Sequence, residues 1–95
     1  MRLGVQEAKA IHEEVGHLDS AAEVYLYGSR TDDSAKGGDI DLLVVSDKLN
    51  FRDLLQLRSR ILDRIGWQQL DLVIRTRNEL SDPLAAIARE TGIKL

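Results

Sequence analysis

Two aspartates, Asp39 and Asp41, flank a single isoleucine at the head of an otherwise apolar run, residues 40–45. They follow Gly28-Ser29-Arg30 by eleven positions. Side chains at i and i+2 of a strand point to the same face, about 7 Å apart at the backbone. Two like charges therefore project together from a strand whose remaining residues belong in a core. Packing supplies no reason for that pairing, and their repulsion is costly unless a cation sits between them. The feature demands a central strand that ends at a polar, cation-binding rim.

The flanking segments supply the elements around that strand. Val5, Ala8, Ile11, Val15 and Leu18 recur at helical steps, which predicts an amphipathic helix over about 5–17. Residues 23–27 are β-branched and aromatic and stop at Gly28, predicting a first strand. Residues 29–38 are polar and read as a loop, with a helical turn beginning at Ser29 as one option. Strand two covers 39–45, and its continuous apolar stretch predicts burial on both faces. A second long helix follows, from Phe51 through Ile65, with Asn50 or Asp47 near its start and Gly66 at its end. Strand three spans 70–74 and carries Asp71. The last helix begins near 78–82, capped by Ser81 or Asp82, with Pro83 in its first turn. Leu84, Ile87 and Ala88 form its expected buried stripe, and Gly92 stops it. The predicted order is α-β-(turn)-β-α-β-α: an α/β (α+β) fold with a small mixed sheet of about three strands flanked by helices. Residues 1–95 read as one domain.

Asp71 is again a lone acid in an apolar strand, Leu70-Asp71-Leu72-Val73-Ile74. If strand three lies beside strand two, it faces Asp39 and Asp41. Such a carboxylate spacing suits a pair of metal ions about 3.5–4 Å apart. Carboxylate oxygens suit Mg²⁺, which keeps waters and takes further ligands from substrate phosphates. No His or Cys lies nearby, which argues against zinc. The bland alternative is three solvated acids at strand ends. Gly28-Ser29 closes strand one. Glycine permits a tight turn there, and backbone N–H groups with the Ser29 hydroxyl make an anion site for phosphates, to which Arg30 adds charge.

The remaining motifs are weaker. His12 and His17 are five apart, so a helix separates them by about 140° and they do not share a metal. Arg58, Arg60 and Arg64 with Asp53 and Asp63 read as a solvated helix face with local ion pairs. Arg75 and Arg77 end strand three, either as surface charge or within reach of a substrate phosphate. Trp67 is expected to pack a turn against the core. Tyr25 and Tyr27 share a strand face and read as core packing, with base stacking a lesser option. The net charge of −3 and a pI near 5.3 argue against a general nucleic-acid-binding surface. There is no cysteine, hence no disulfide. The N-terminus leads into a charged segment, and no apolar run approaches the roughly 20 residues of a membrane span. A cytoplasmic location is the expectation.

The combination Tyr27-Gly28-Ser29-Arg30, then Gly38-Asp39-Ile40-Asp41-Leu42-Leu43-Val44, then Asp71 on a later strand resembles the DNA polymerase β-like nucleotidyltransferase superfamily. Within it, the chain looks like the minimal nucleotidyltransferases, small proteins often encoded beside a helical HEPN partner, and residues 88–95 also suit that group. The resemblance implies that Gly28 and Ser29 hold the β- and γ-phosphates of a nucleoside triphosphate, with Arg30 beside them. It implies that Asp39 and Asp41 bind two Mg²⁺ ions, and that Asp71 completes one metal site and helps activate an acceptor hydroxyl. The implied reaction transfers NMP, AMP from ATP first of all, with release of pyrophosphate. Where many members continue with Ala-Arg-Gly, this chain has Thr31-Asp32-Asp33. Larger members hold base and acceptor with an added domain. Here the exposed helix faces are expected to dock a separate protein or a second copy. The acceptor implied is the HEPN-like partner, in a toxin–antitoxin pair. The alternatives are an antitoxin acting by contact alone, or an enzyme modifying a small molecule such as an aminoglycoside.

Overall fold

The computed structural model describes residues 3–28 and 39–95. Helix α1 (Val5–Leu18) leads into β1 (Glu23–Tyr27), which is followed by β2 (Ile40–Val45). Helix α2 (Phe51–Ile65), β3 (Leu70–Arg75), α3 (Pro83–Thr91) and a two-residue β4 (Ile93–Lys94) complete the chain. The sheet order is β3-β2-β1-β4. β1 runs antiparallel to β2 and to β4, while β2 and β3 are parallel, joined by α2 as the crossover. The mixed sheet flanked by helices matches the expected fold class, with one strand more than the residue pattern announces.

Strand alternation sorts the sheet into two faces. Val24 and Leu26 of β1, Ile40, Leu42 and Val44 of β2, and Leu70 of β3 form the larger core with Ile11 and Val15 of α1 and Leu57 and Ile61 of α2. Each such side chain contributes about 1.5–3 kcal/mol of transfer free energy on full burial. Tyr25, Leu43 and Val45 form a smaller cluster on the opposite face with Ala85 and Ala88 of α3. One long-helix layer thus covers one face, and a short helix of small residues covers only part of the other. β2 is covered on both sides, as its unbroken apolar run requires: Leu42, Leu43, Val44 and Val45 are all fully buried.

The helix ends follow capping chemistry. Asn50, not Asp47, caps α2: its side chain accepts from the Asp53 amide at 2.9 Å, and Asp53 reciprocates on the Asn50 amide at 3.0 Å. Asp82, not Ser81, caps α3 through the Ala85 amide, with Pro83 at the first position. Asp47 instead accepts from the Arg77 backbone and side chain. Arg77 also donates to the Ala21 carbonyl at 2.6 Å. These bonds tie together the end of the sheet remote from Asp41.

Three expectations need correction. Trp67 does not pack into the core: it is 75% exposed, with the Arg58 guanidinium 5.6 Å from its ring. Ile87 is 56% exposed: Ala88 is buried as expected, and Ala85 rather than Ile87 joins it in the buried stripe of α3. Arg64 does not pair within its own helix but reaches across to Glu13 and Glu14 of α1, at 2.9 and 3.2 Å.

Candidate functional site

The register of the sheet builds the site. Tyr27 of β1 lies opposite Asp41 of β2, which lies opposite Asp71 of β3. A row of three side chains therefore crosses the sheet on the α3 face, at the edge that α3 leaves open. The next row on that face is Tyr25, Leu43 and Val73, which is apolar. Asp39 immediately precedes β2 and is exposed, as is Asp71, while Asp41 is half-buried.

The electrostatics are those of carboxylates held too close. Partial burial is the largest influence on Asp41, raising its pKa above the ordinary aspartate value. The charges of Asp71 and Asp39 push it further in the same direction, as does contact with the Asp71 side chain. The Tyr27 phenol is raised too, by burial first and then by Asp41 and Asp71. All three acids thus act on one small region.

Gly28 closes the site from the β1 side. Its φ of +77° lies in the left-handed region, and a Cβ there would collide with the Asp41 carboxylate oxygen Oδ2. Only a residue without a side chain lets the backbone at position 28 approach Asp41 this closely. The other residues expected in the phosphate cradle, Ser29 and Arg30, lie outside the described residues.

A divalent cation fits this donor set. It is all oxygen, it carries excess negative charge at Asp41, and its members lie on adjacent strands with solvent on one side, as a partly hydrated Mg²⁺ requires. Among the described residues, no three His, Cys, Asp or Glu side chains stand close enough together to hold a metal ion by themselves.

Two further residues belong to the neighbourhood. Tyr27 shoulders Asp41 while its ring packs on the smaller core; its place directly before Gly28 was the available signal. Arg75, two positions beyond Val73 on the Asp71 face, ion-pairs with Asp82 at 3.3 Å and donates to its own Ile74 carbonyl at 2.9 Å. Arg77 points into the clasp at the remote end and is no part of this site.

The mixed sheet, with Asp39 and Asp41 at the start of β2 and Asp71 on its parallel neighbour β3, has the arrangement of a nucleotidyltransferase fold. The chain belongs to the family described as "Polymerase beta, Nucleotidyltransferase", whose model matches residues 9–95. Among solved structures it is similar to one described as "Crystal structure of putative nucleotidyltransferase", with 28% sequence identity and a TM-score of 0.65. That match covers 96% of this chain and 99% of the other. No curated protein matches the chain. Transfer of nucleoside monophosphates is the general activity of the family, which generally uses a divalent metal and a nucleoside triphosphate.

Proposed function

We propose that this chain is an Mg²⁺-dependent transferase that moves AMP from ATP to a hydroxyl group on a separate protein. The carrying observation is the in-register meeting of Asp41 with Asp71, under the charge of Asp39 and against the backbone of Gly28. In this reading Gly28, Ser29 and Arg30 take the β- and γ-phosphates, while Asp39, Asp41 and Asp71 hold two Mg²⁺ ions. When bound, the ions neutralise the triphosphate and the charge that builds on the leaving pyrophosphate. Asp71, exposed at the open rim, accepts the acceptor's proton as its oxygen bonds to the α-phosphorus. The bond from that phosphorus to the bridging oxygen then breaks, and pyrophosphate departs. The chain's own contribution is to position the reactants and orient the acceptor's oxygen in line.

The acceptor we favour is a helical HEPN-like protein encoded alongside, with this chain as the antitoxin of the pair. That choice follows from the resemblance of the Gly-Ser and Asp-Ile-Asp motifs to minimal nucleotidyltransferases. The test is incubation of both purified proteins with labelled ATP and Mg²⁺. Label on the partner is expected from the wild type and not from the Asp39→Asn/Asp41→Asn variant. A stable complex that acquires no label would overturn the proposal.

A second reading has its own support. Phe51, Leu55 and Trp67 leave exposed apolar area on and beside α2, as befits an antitoxin that neutralises by contact alone. Neutralisation surviving the double aspartate change would select it. A small hydroxyl-bearing acceptor such as an aminoglycoside is the remaining option, and label transfer to it in the same assay would reveal it.

A further inference from the structure

β3 is an edge strand, and its free side has a definite polarity. The Gln69 carbonyl accepts from the Ile40 amide at 2.9 Å, and the Arg75 carbonyl from the Ser46 amide at 3.0 Å. Odd-numbered residues of β3 therefore bond to β2. Strand alternation turns the amides and carbonyls of Leu70, Leu72 and Ile74 outward. Among the described residues no strand lies beyond them. Arg58 donates to the Leu70 carbonyl at 3.3 Å and Arg75 to the Ile74 carbonyl at 2.9 Å. Charged side chains on an edge are a common guard against pairing with the wrong strand. Beside this edge runs a groove of about 440 Å³, lined by Leu49, Phe51 and Leu54 on one wall and Leu72 and Ile74 on the other. Phe51, in its lining, is 71% exposed, and Leu55, further along α2, is 54% exposed.

We propose that two copies of this chain join through antiparallel pairing of their β3 strands, about a twofold axis at Val73. Outward groups must meet outward groups, so only registers centred on a single residue are allowed. Centring on Asp71 sets like charges opposite each other. Centring on Leu72 sets Asp71 against Val73, and centring on Ile74 sets Arg75 against Val73. Centring on Val73 sets Asp71 against Arg75 of the second copy, twice, and Leu72 against Ile74, twice. The strand is complementary to itself in charge and in hydropathy only in that register.

In the pair, Leu72 and Ile74 of the second copy exchange both backbone bonds. The Ile74 carbonyl gains an amide as Arg75 leaves it, and the Arg75 guanidinium exchanges its 3.3 Å ion pair with Asp82 for the carboxylate across the axis. The axis is normal to the sheet, so both α2 helices lie on one face and the Phe51, Leu54 and Leu55 side chains of each copy cover those of the other. On the opposite face, Arg75 of the second copy extends the row Tyr27-Asp41-Asp71. Each copy thereby lends a cation to the other's candidate site, a consequence that rests on the transferase reading, whereas the pairing does not.

The chain lacks cysteine, so a single Val73→Cys change reports the axis directly. Opposed residues of an unbonded antiparallel pair have Cα atoms about 4.5 Å apart, within disulfide range. Mild oxidation should convert Val73→Cys to a covalent dimer. The control Arg75→Cys, whose twofold mates would be about 13 Å apart along the strand, should not react. By sedimentation equilibrium, Arg75→Asp should weaken wild-type dimerisation on the order of tenfold or more in Kd. Asp71→Arg/Arg75→Asp, which restores the opposite charges, should recover it, with circular dichroism verifying the fold of each variant. A wild type monomeric at the highest soluble concentration overturns the proposal, as does a dimer that Val73→Cys fails to lock. Failure of AMP transfer alone leaves these measurements untouched.

Discussion

A methyl group at position 28 would strike the Asp41 carboxylate and would have to adopt a φ of +77°. Gly28→Ala therefore suffers twice, and the left-handed backbone alone costs on the order of 1–3 kcal/mol. Urea unfolding should show that loss, and nucleotide transfer should fall together with it because Asp41 must move aside. A Gly28→Ala protein as stable as wild type would contradict the close approach. The same residues show what a sequence reader can see. Asp39, Asp41 and Asp71 stand out because a lone acid in an apolar strand has no packing purpose, and i, i+2 spacing forces two of them onto one face. That Asp71 falls directly opposite Asp41 was not legible, since register depends on the crossover through α2. Tyr27 shows the limit from the other side: its ring packs on the smaller core while its phenol lies within the influence of the acids' charge, and composition favours the first reading.

Among the elements, the C-terminal unit carries more constraint than its length suggests. Gly92 reads as a simple helix stop. Its φ of −84° is open to any residue, yet a Cβ there would meet the Ala88 carbonyl oxygen and lie 2.6 Å from the Leu26 carbonyl oxygen. The chain must pass this tightly to set Ile93 beside Leu26 and make β4. Gly92→Ala is expected to destabilise by about 1–3 kcal/mol through overpacking, measurable as a lower urea midpoint at unchanged slope. Loss of the cap on α2 belongs at this scale too. Asn50→Ala removes the acceptor for the Asp53 amide and should cost about 1 kcal/mol, read from thermal unfolding. Long periodic helices and the buried β2 could be recognised from residue pattern. The two residues of β4 could not, because so short a strand has no period and exists only through its neighbour. Ile87 misled because α3 meets the smaller core through Ala85 and Ala88, leaving its large apolar residue outside, and Trp67 because it stands beyond the end of α2 under the Arg58 guanidinium.

For the molecule as a whole, its carboxylates oppose one another in sign. Asp19 is held below the ordinary aspartate range, chiefly by the Ser46 hydroxyl at 2.6 Å. Glu23 is lowered by Lys94 and Tyr25. Asp47 and Asp82 are lowered by backbone amides before any cation. Groups lowered by folding add stability above their unfolded pKa values and lose it as pH falls through their folded ones. Asp41 runs the other way. Its folded pKa is raised, so between the ordinary aspartate value and that raised value the folded state binds more protons than the unfolded one. Stability is therefore lost as pH climbs through that interval, and the loss persists at neutral pH. Asp41→Asn removes this one opposing group and leaves the acid-side groups intact. Without metal, its melting temperature should match wild type well below the interval, exceed it progressively through the interval, and stay above it near pH 7. Added Mg²⁺ should raise the wild-type melting temperature at pH 7 and narrow the gap, because a cation at the acidic row favours the ionised carboxylate that burial and neighbours resist. A variant less stable than wild type at pH 7 without metal would mean that Asp41 is a structural anchor, and the row Tyr27-Asp41-Asp71 would then need another explanation.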